Sequence, residues 1–185
     1  FANGHGGFAT SGREYAIVLE GDAQTPRPWT NILANPDLGT VVTSSGASFT
    51  WAENSRENRL TPFANDPVTD ASAERLFLVD VETGEAWSPL PGQGPRAANA
   101  RYVVRHRPGV TRFEHAGQGL RHELAVLVAA NDPVKIQLLR LANESGRPRR
   151  LRLYAYTEWA LCPPRPHEHL HVVTEAVDRG VLARN

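Results

Sequence analysis

The chain has no methionine, one cysteine and one lysine in 185 residues. Each scarcity excludes something. The lone Cys162 cannot close a disulfide within the chain, so nothing points to an oxidising compartment. Lys135 is the only lysine beside nineteen arginines, which reads as a coding bias before it reads as anion recognition. Twenty basic residues balance twenty acidic ones, which removes any electrostatic case for a nucleic-acid or anionic-membrane partner. No apolar run reaches the roughly 18 residues of a membrane-spanning helix, and no charged-then-apolar leader opens the chain. Phe1 in place of an initiating methionine leads us to expect a piece, residues 1–185, excised from a larger multidomain protein and forming a single domain.

What is present is a two-residue rhythm. Tyr102–His106, Val110–His115 and Leu120–Ala130 are short runs broken at Pro108-Gly109, Gly117-Gln118-Gly119 and Asn131-Asp132-Pro133. Leu124, Val126 and Val128 fall on one face, Val134, Ile136 and Leu138 repeat the alternation, and Leu151, Leu153 and Ala155 oppose Arg152, Tyr154 and Tyr156 in a run to Trp159. The pattern predicts an all-β, antiparallel fold with few or no helices. Further strands are expected at Glu14–Leu19, Thr40–Thr43, Ala47–Trp51, Leu76–Val81 and Glu85–Trp87, with hairpin turns at Ser44-Ser45-Gly46 and Glu82-Thr83-Gly84. Glu53–Ser72 carries little alternation and reads as a long ordered loop, and Pro89–Pro95 as a second irregular connection.

Several motifs invite chemistry. His167, His169 and His171 would share one face of a strand and could hold zinc, although clustered histidines are more often solvated or packed. Asn3-Gly4-His5-Gly6-Gly7-Phe8 neither follows a strand nor opens a helix, so its glycines read as allowing close backbone approach and not as a phosphate loop. Ser11, Ser44, Ser45, Ser48 and Ser55 sit in no nucleophile elbow, and Cys162 before two prolines reads as a structural thiol. The run Trp51–Leu60 differs. It gathers an indole, amides, guanidinium groups and carboxylates, a mixture that stacks on a pyranose and meets its hydroxyls in pairs. The same groups could equally satisfy the loop's own backbone.

This loop carries a resemblance. WAENSRENRLTPFANDPV at Trp51–Val68 and LFLVDVETGEAWSP at Leu76–Pro89 closely resemble the cyclic β-1,2-glucan synthases and are more distantly similar to the cellobiose and chitobiose phosphorylases. NGHGGF near the start, TPRPWTNILANPDLG at Thr25–Gly39, GVTRFEH at Gly109–His115, TEWAL at Thr157–Leu161 and VVTEAVDRGVLARN at Val172–Asn185 extend the likeness over almost the whole chain. The resemblance implies an antiparallel β-supersandwich of the galactose-mutarotase-like kind, set before an (α/α)₆ barrel. That barrel would hold the general-acid aspartate, and inorganic phosphate as co-substrate would attack the anomeric carbon with inversion. No catalytic residue and no cofactor is then expected in this chain. Its partners would be a β-glucan oligosaccharide, the following helical barrel and a second copy in a homodimer, with the parent at a bacterial inner membrane and this module in the cytoplasm. By that analogy Trp51, Asn54, Arg56, Asn58, Arg59, Asn65 and Asp66 line a glucan-binding edge or an interdomain surface. An autonomous lectin-like sandwich is the alternative, and a metalloprotein using the histidines a third.

Overall fold

The computed structural model describes residues 3–163 and 171–185, and every named element in them is a β-strand. The largest sheet has six strands, numbered here in chain order. They are β1 (Gly6–Phe8), β2 (Tyr15–Glu20), β8 (Arg101–Arg107), β9 (Val110–Gly117), β10 (Leu120–Val128) and β11 (Lys135–Asn143), paired in that order and antiparallel throughout. A second sheet runs β3 (Thr30–Ala34), β4 (Leu38–Thr43), β5 (Ser48–Ala52), and a third runs β12 (Leu151–Thr157), β6 (Glu74–Asp80), β7 (Ala86–Trp87). β13 (Val173–Val177) and β14 (Gly180–Arg184) form a hairpin. Among the described residues no helix is long and apolar enough to cross a membrane.

Alternation decides what faces inward. Register aligns Ile17, Val104, Phe113 and Leu124 in one row across β2, β8, β9 and β10, and each is fully buried. This row packs with Leu33 of β3, Val42 of β4, Leu76 of β6 and the loop residue Leu90, so the two smaller sheets lie over one face of the large one as a second layer. A satellite cluster joins Leu78, Trp87 and Leu120. On the opposite face Arg105 binds Glu14 at 2.8 Å and Glu114 at 2.7 Å, while Arg112 and Arg140 flank Glu123 at 3.9 and 3.7 Å. The charges belong to the solvated side, as period two requires.

Both expected hairpins form, with Gly46 at φ +89° and Gly84 at φ +74° supplying the left-handed residue. Gly6 has the close approach read from its motif, since a Cβ there would stand 2.5 Å from the Ala16 carbonyl oxygen. Four strands escaped the sequence reading. β1 is glycine-rich and exists through its pairing with β2, β3 is a five-residue run between Pro28 and Pro36, and β13 and β14 are largely solvent-exposed on both faces. β12 ends at Thr157, short of Trp159, and both of its faces are largely exposed, so its alternation does not bury Leu153.

Candidate functional site

The loop after β5 is ordered because its backbone is paired. Trp51 bridges Arg59, and Arg59 in turn bridges Cys162. Ala52 N donates to Asn58 O at 3.0 Å, Leu60 N to Thr50 O at 2.9 Å, and Ala160 N to Leu60 O at 2.9 Å. The loop therefore doubles back along β5 and is flanked by the segment after β12. Buried Thr61 fixes the crossing, its hydroxyl accepting from Thr50 N at 2.9 Å.

On this frame an aromatic stack forms. Phe63 lies on Phe49 with centroids 4.6 Å apart, Phe49 on Trp51 at 5.3 Å, and the Arg59 guanidinium sits 5.5 Å from the Phe49 ring centre. Trp51 covers Gly39, where any Cβ would overlap its indole. A cavity of about 200 Å³ opens beside Phe49 and Phe63, lined also by Arg27, Asn65, Asp66 and Asp70. The Asp70 carboxylate accepts from Thr43 Oγ1 at 2.6 Å and from Ser45 Oγ, which ties this wall to the β4–β5 turn.

The structure thus divides the seven residues singled out from sequence. Trp51 and Arg59 meet around Phe49, and Asn65 and Asp66 line the adjoining cavity. Asn54, Arg56 and Asn58 stand apart at the exposed loop tip. For two of them the backbone role is plain. Asn54 Oδ1 accepts from the amides of Arg56 and Glu57, each at 2.9 Å, and Asp66 Oδ1 accepts from Val68 N at 2.9 Å. That amide bond, helped by the Thr69 hydroxyl, holds the Asp66 carboxyl below its usual range. Among the described residues Arg56 forms an ion pair only with its exposed neighbour Glu57, at 3.3 Å. The sequence reading missed Phe49, Phe63 and Asp70; Phe63, inside the same quoted motif, carried the one available signal.

It also gave no weight to Lys135. Its Nζ lies 2.7 Å from Glu74 Oε2 and 3.1 Å from each hydroxyl of Thr40, Ser48 and Thr50, so one buried cation ties β11 to β4, β5 and β6. Burial pushes the Lys135 ammonium below its ordinary pKa, against the opposing pull of Glu74. This network floors a cleft of about 350 Å³ walled by Gln137, Tyr156 and Trp159. Of the histidine trio, His167 and His169 lie outside the described residues, and His171 is exposed. Among the described residues no group of three or more His, Cys, Asp or Glu side chains is placed to hold a metal.

This sequence has known relatives. Residues 13–185 match the model for the supersandwich domain of glycosyl hydrolase 94. The chain belongs to that family. It is 38% identical over 175 residues to the cyclic beta-(1,2)-glucan synthase NdvB of Rhizobium meliloti (strain 1021), covering 95% of this chain and 6% of that protein. It is 32% identical over 168 residues to the solabiose phosphorylase of Paenibacillus borealis, covering 85% and 20%, and 27% identical over 159 residues to an N,N'-diacetylchitobiose phosphorylase of Vibrio furnissii, covering 84% and 19%. The chain therefore spans a fifth or less of the length of these relatives. The supersandwich expected from the sequence is the observed architecture, and the relatives are enzymes that make or phosphorolyse glycosides.

Proposed function

We propose that this chain is a non-catalytic supporting domain of a carbohydrate-active enzyme of the glycosyl hydrolase 94 type, packing on an (α/α)₆ catalytic barrel and helping to wall its glucan site. The observation that carries this reading is the exposure of large apolar side chains along the last four strands. Leu138, Leu153, Tyr154, Tyr156, Val173 and Val181 are 47%, 53%, 49%, 54%, 67% and 63% exposed. Apart from Leu138 on β11, they lie on both faces of β12 and of the β13–β14 hairpin, and large apolar side chains left this exposed favour a covering by protein. The names of the relatives support a glucan or glycoside substrate and phosphate as co-substrate for the parent.

The test is turnover. The chain incubated with β-1,2-glucan and inorganic phosphate is expected to release no glucose 1-phosphate, and sustained release would overturn the assignment. The stack of Phe49, Phe63 and Arg59 beside its cavity favours a second reading, an autonomous lectin-like module. Calorimetry with β-1,2-glucan oligomers separates the two, because one wall of a shared site binds feebly alone whereas a lectin saturates at millimolar ligand or below.

A further inference from the structure

The six-stranded sheet ends on a strand that has no second neighbour among the described residues. β11 pairs with β10 alone, and the phase of that ladder is fixed at both ends, by Ala129 N donating to Val134 O at 2.9 Å and Glu144 N to Gly119 O at 2.8 Å. Hydrogen-bonded positions recur at every second residue of an antiparallel ladder, so Ile136, Leu138, Arg140 and Ala142 turn their N–H and C=O groups to β10. The intervening Lys135, Gln137, Leu139, Leu141 and Asn143 turn theirs to the open side, where no hydrogen bond from another described residue meets them. Nine residues long, this edge has no proline, no glycine and no break in register. Nor does a free charge guard it, because Lys135 is turned inward onto Glu74 at 2.7 Å and Arg140 lies 3.7 Å from Glu123 on the solvent face. By contrast β1 spans three residues and β7 two, Pro36 follows β3, and the Arg59 loop bridges β5.

An edge of this kind pairs with another extended strand, and the sequence of β11 fits its own reverse. Turned about a two-fold axis through Leu139, a second β11 sets Leu139 opposite Leu139, Gln137 opposite Leu141 and Lys135 opposite Asn143. All of these are open-side positions, so each pair exchanges two N–H···O bonds and the strand is matched from end to end. On the alternate positions Arg140 stands opposite Leu138 and Ile136 opposite Ala142, so no two like charges meet directly. The axis is perpendicular to the sheet and keeps inward rows with inward rows, which covers Leu141, 41% exposed in the single chain. An unrelated strand would match this spacing only by chance, whereas a second copy supplies it by symmetry. We infer that the free edge of β11 is a homodimer interface, at which a second copy of this chain pairs antiparallel about Leu139. The inference goes beyond the supporting role and leaves the outer face of β11 and all of β12 open to the covering proposed there.

Sedimentation of the chain from micromolar to millimolar concentration, with amide hydrogen exchange at both ends of that range, tests it. A monomer–dimer equilibrium is expected. The amides of Gln137, Leu139 and Leu141 should slow about tenfold or more in the dimer, while those of Ile136, Leu138 and Arg140, already in the β10 ladder, keep their rates. Gln137→Pro and Leu141→Pro each delete one open-side donor from both copies and none from the β10 ladder, so each should weaken dimerisation about tenfold or more. The exchange pattern is read on the unsubstituted chain and decides the matter even where a variant fails to fold. A chain that stays monomeric at millimolar concentration, protection that appears on Leu153 and Ala155 of β12 instead, dimerisation untouched by both prolines, or open-ended growth past the dimer overturns the interface. Release of glucose 1-phosphate and binding of glucan are separate measurements, which none of these outcomes decides.

Discussion

Two regions of this sandwich are written in the same alternating pattern and end in opposite states. Across β2, β8, β9 and β10 the inward rows are closed, with Leu19, Tyr102, His115 and His122 all under 10% exposed. The next position in that row, Leu141 on β11, is 41% exposed. The third sheet repeats the step, from Trp87 at 5% and Leu78 at 1% to Leu153 at 53%. Burial stops where the opposing layer stops. Alternation therefore fixes which face an apolar side chain takes, and a second layer decides whether that face is dry.

The contrast should be largest in core truncations. Phe113→Ala, at the centre of the closed row, is expected to cost about 3–5 kcal/mol in denaturant midpoints, since it removes a ring from a site that cannot collapse. Leu153→Ala should stay within about 0.5 kcal/mol in this chain, as for other solvated positions. In a larger protein whose neighbouring domain covers it, the same Leu153→Ala should become costly. Equal losses for the two variants in the isolated chain would break the comparison.

Acid sharpens it next. His122 is inside the closed region, and burial, with His115 beside it, depresses its pKa to about 4. Burial also lowers His115 and His106. An imidazole with a depressed folded pKa takes its proton more readily in the unfolded chain. The stability it supports is complete above pH 6.5, falls as pH drops toward 4, and changes no further below that. For His122 the loss approaches ~3 kcal/mol. Urea unfolding between pH 7.5 and 4 should show the decline, and His122→Gln should flatten it; a profile flat in both would remove the buried histidines from the closed region's account.

The all-β class was legible because it depends on neighbours in sequence, and so were both hairpins, whose glycines sit beside the strands they join. The turn duty of Asn54 was open to the sequence as the backbone role of the Trp51–Leu60 groups, whereas that of Asp66, which likewise caps amides two and three residues on, was not read. What could not be read was anything assembled across the chain. Lys135 reaches hydroxyls 85, 87 and 95 positions away, and Trp87 finds His122 across 35. No local spacing encodes such meetings. The glycan-like mixture at Trp51–Leu60 was visible as composition, but its division into stacked and free members required the fold.

That division gives the smallest and most discriminating comparison, inside one loop. Arg59 is half-buried with its guanidinium over Phe49, so Arg59→Ala should lower stability by about 0.5–1 kcal/mol. Arg56 is 82% exposed and its pair with Glu57 is fully solvated, so Arg56→Ala should leave thermal unfolding unchanged. In a larger phosphorylase of the kind proposed above, the order should invert if the loop tip faces glucan. A side chain with no internal duty is then retained for an external one, and Arg56→Ala should raise KM for the glucan several-fold at constant kcat. An Arg56 variant neutral in both measurements would reduce the loop tip to a solvated turn and leave the Phe49 stack as the segment's functional part.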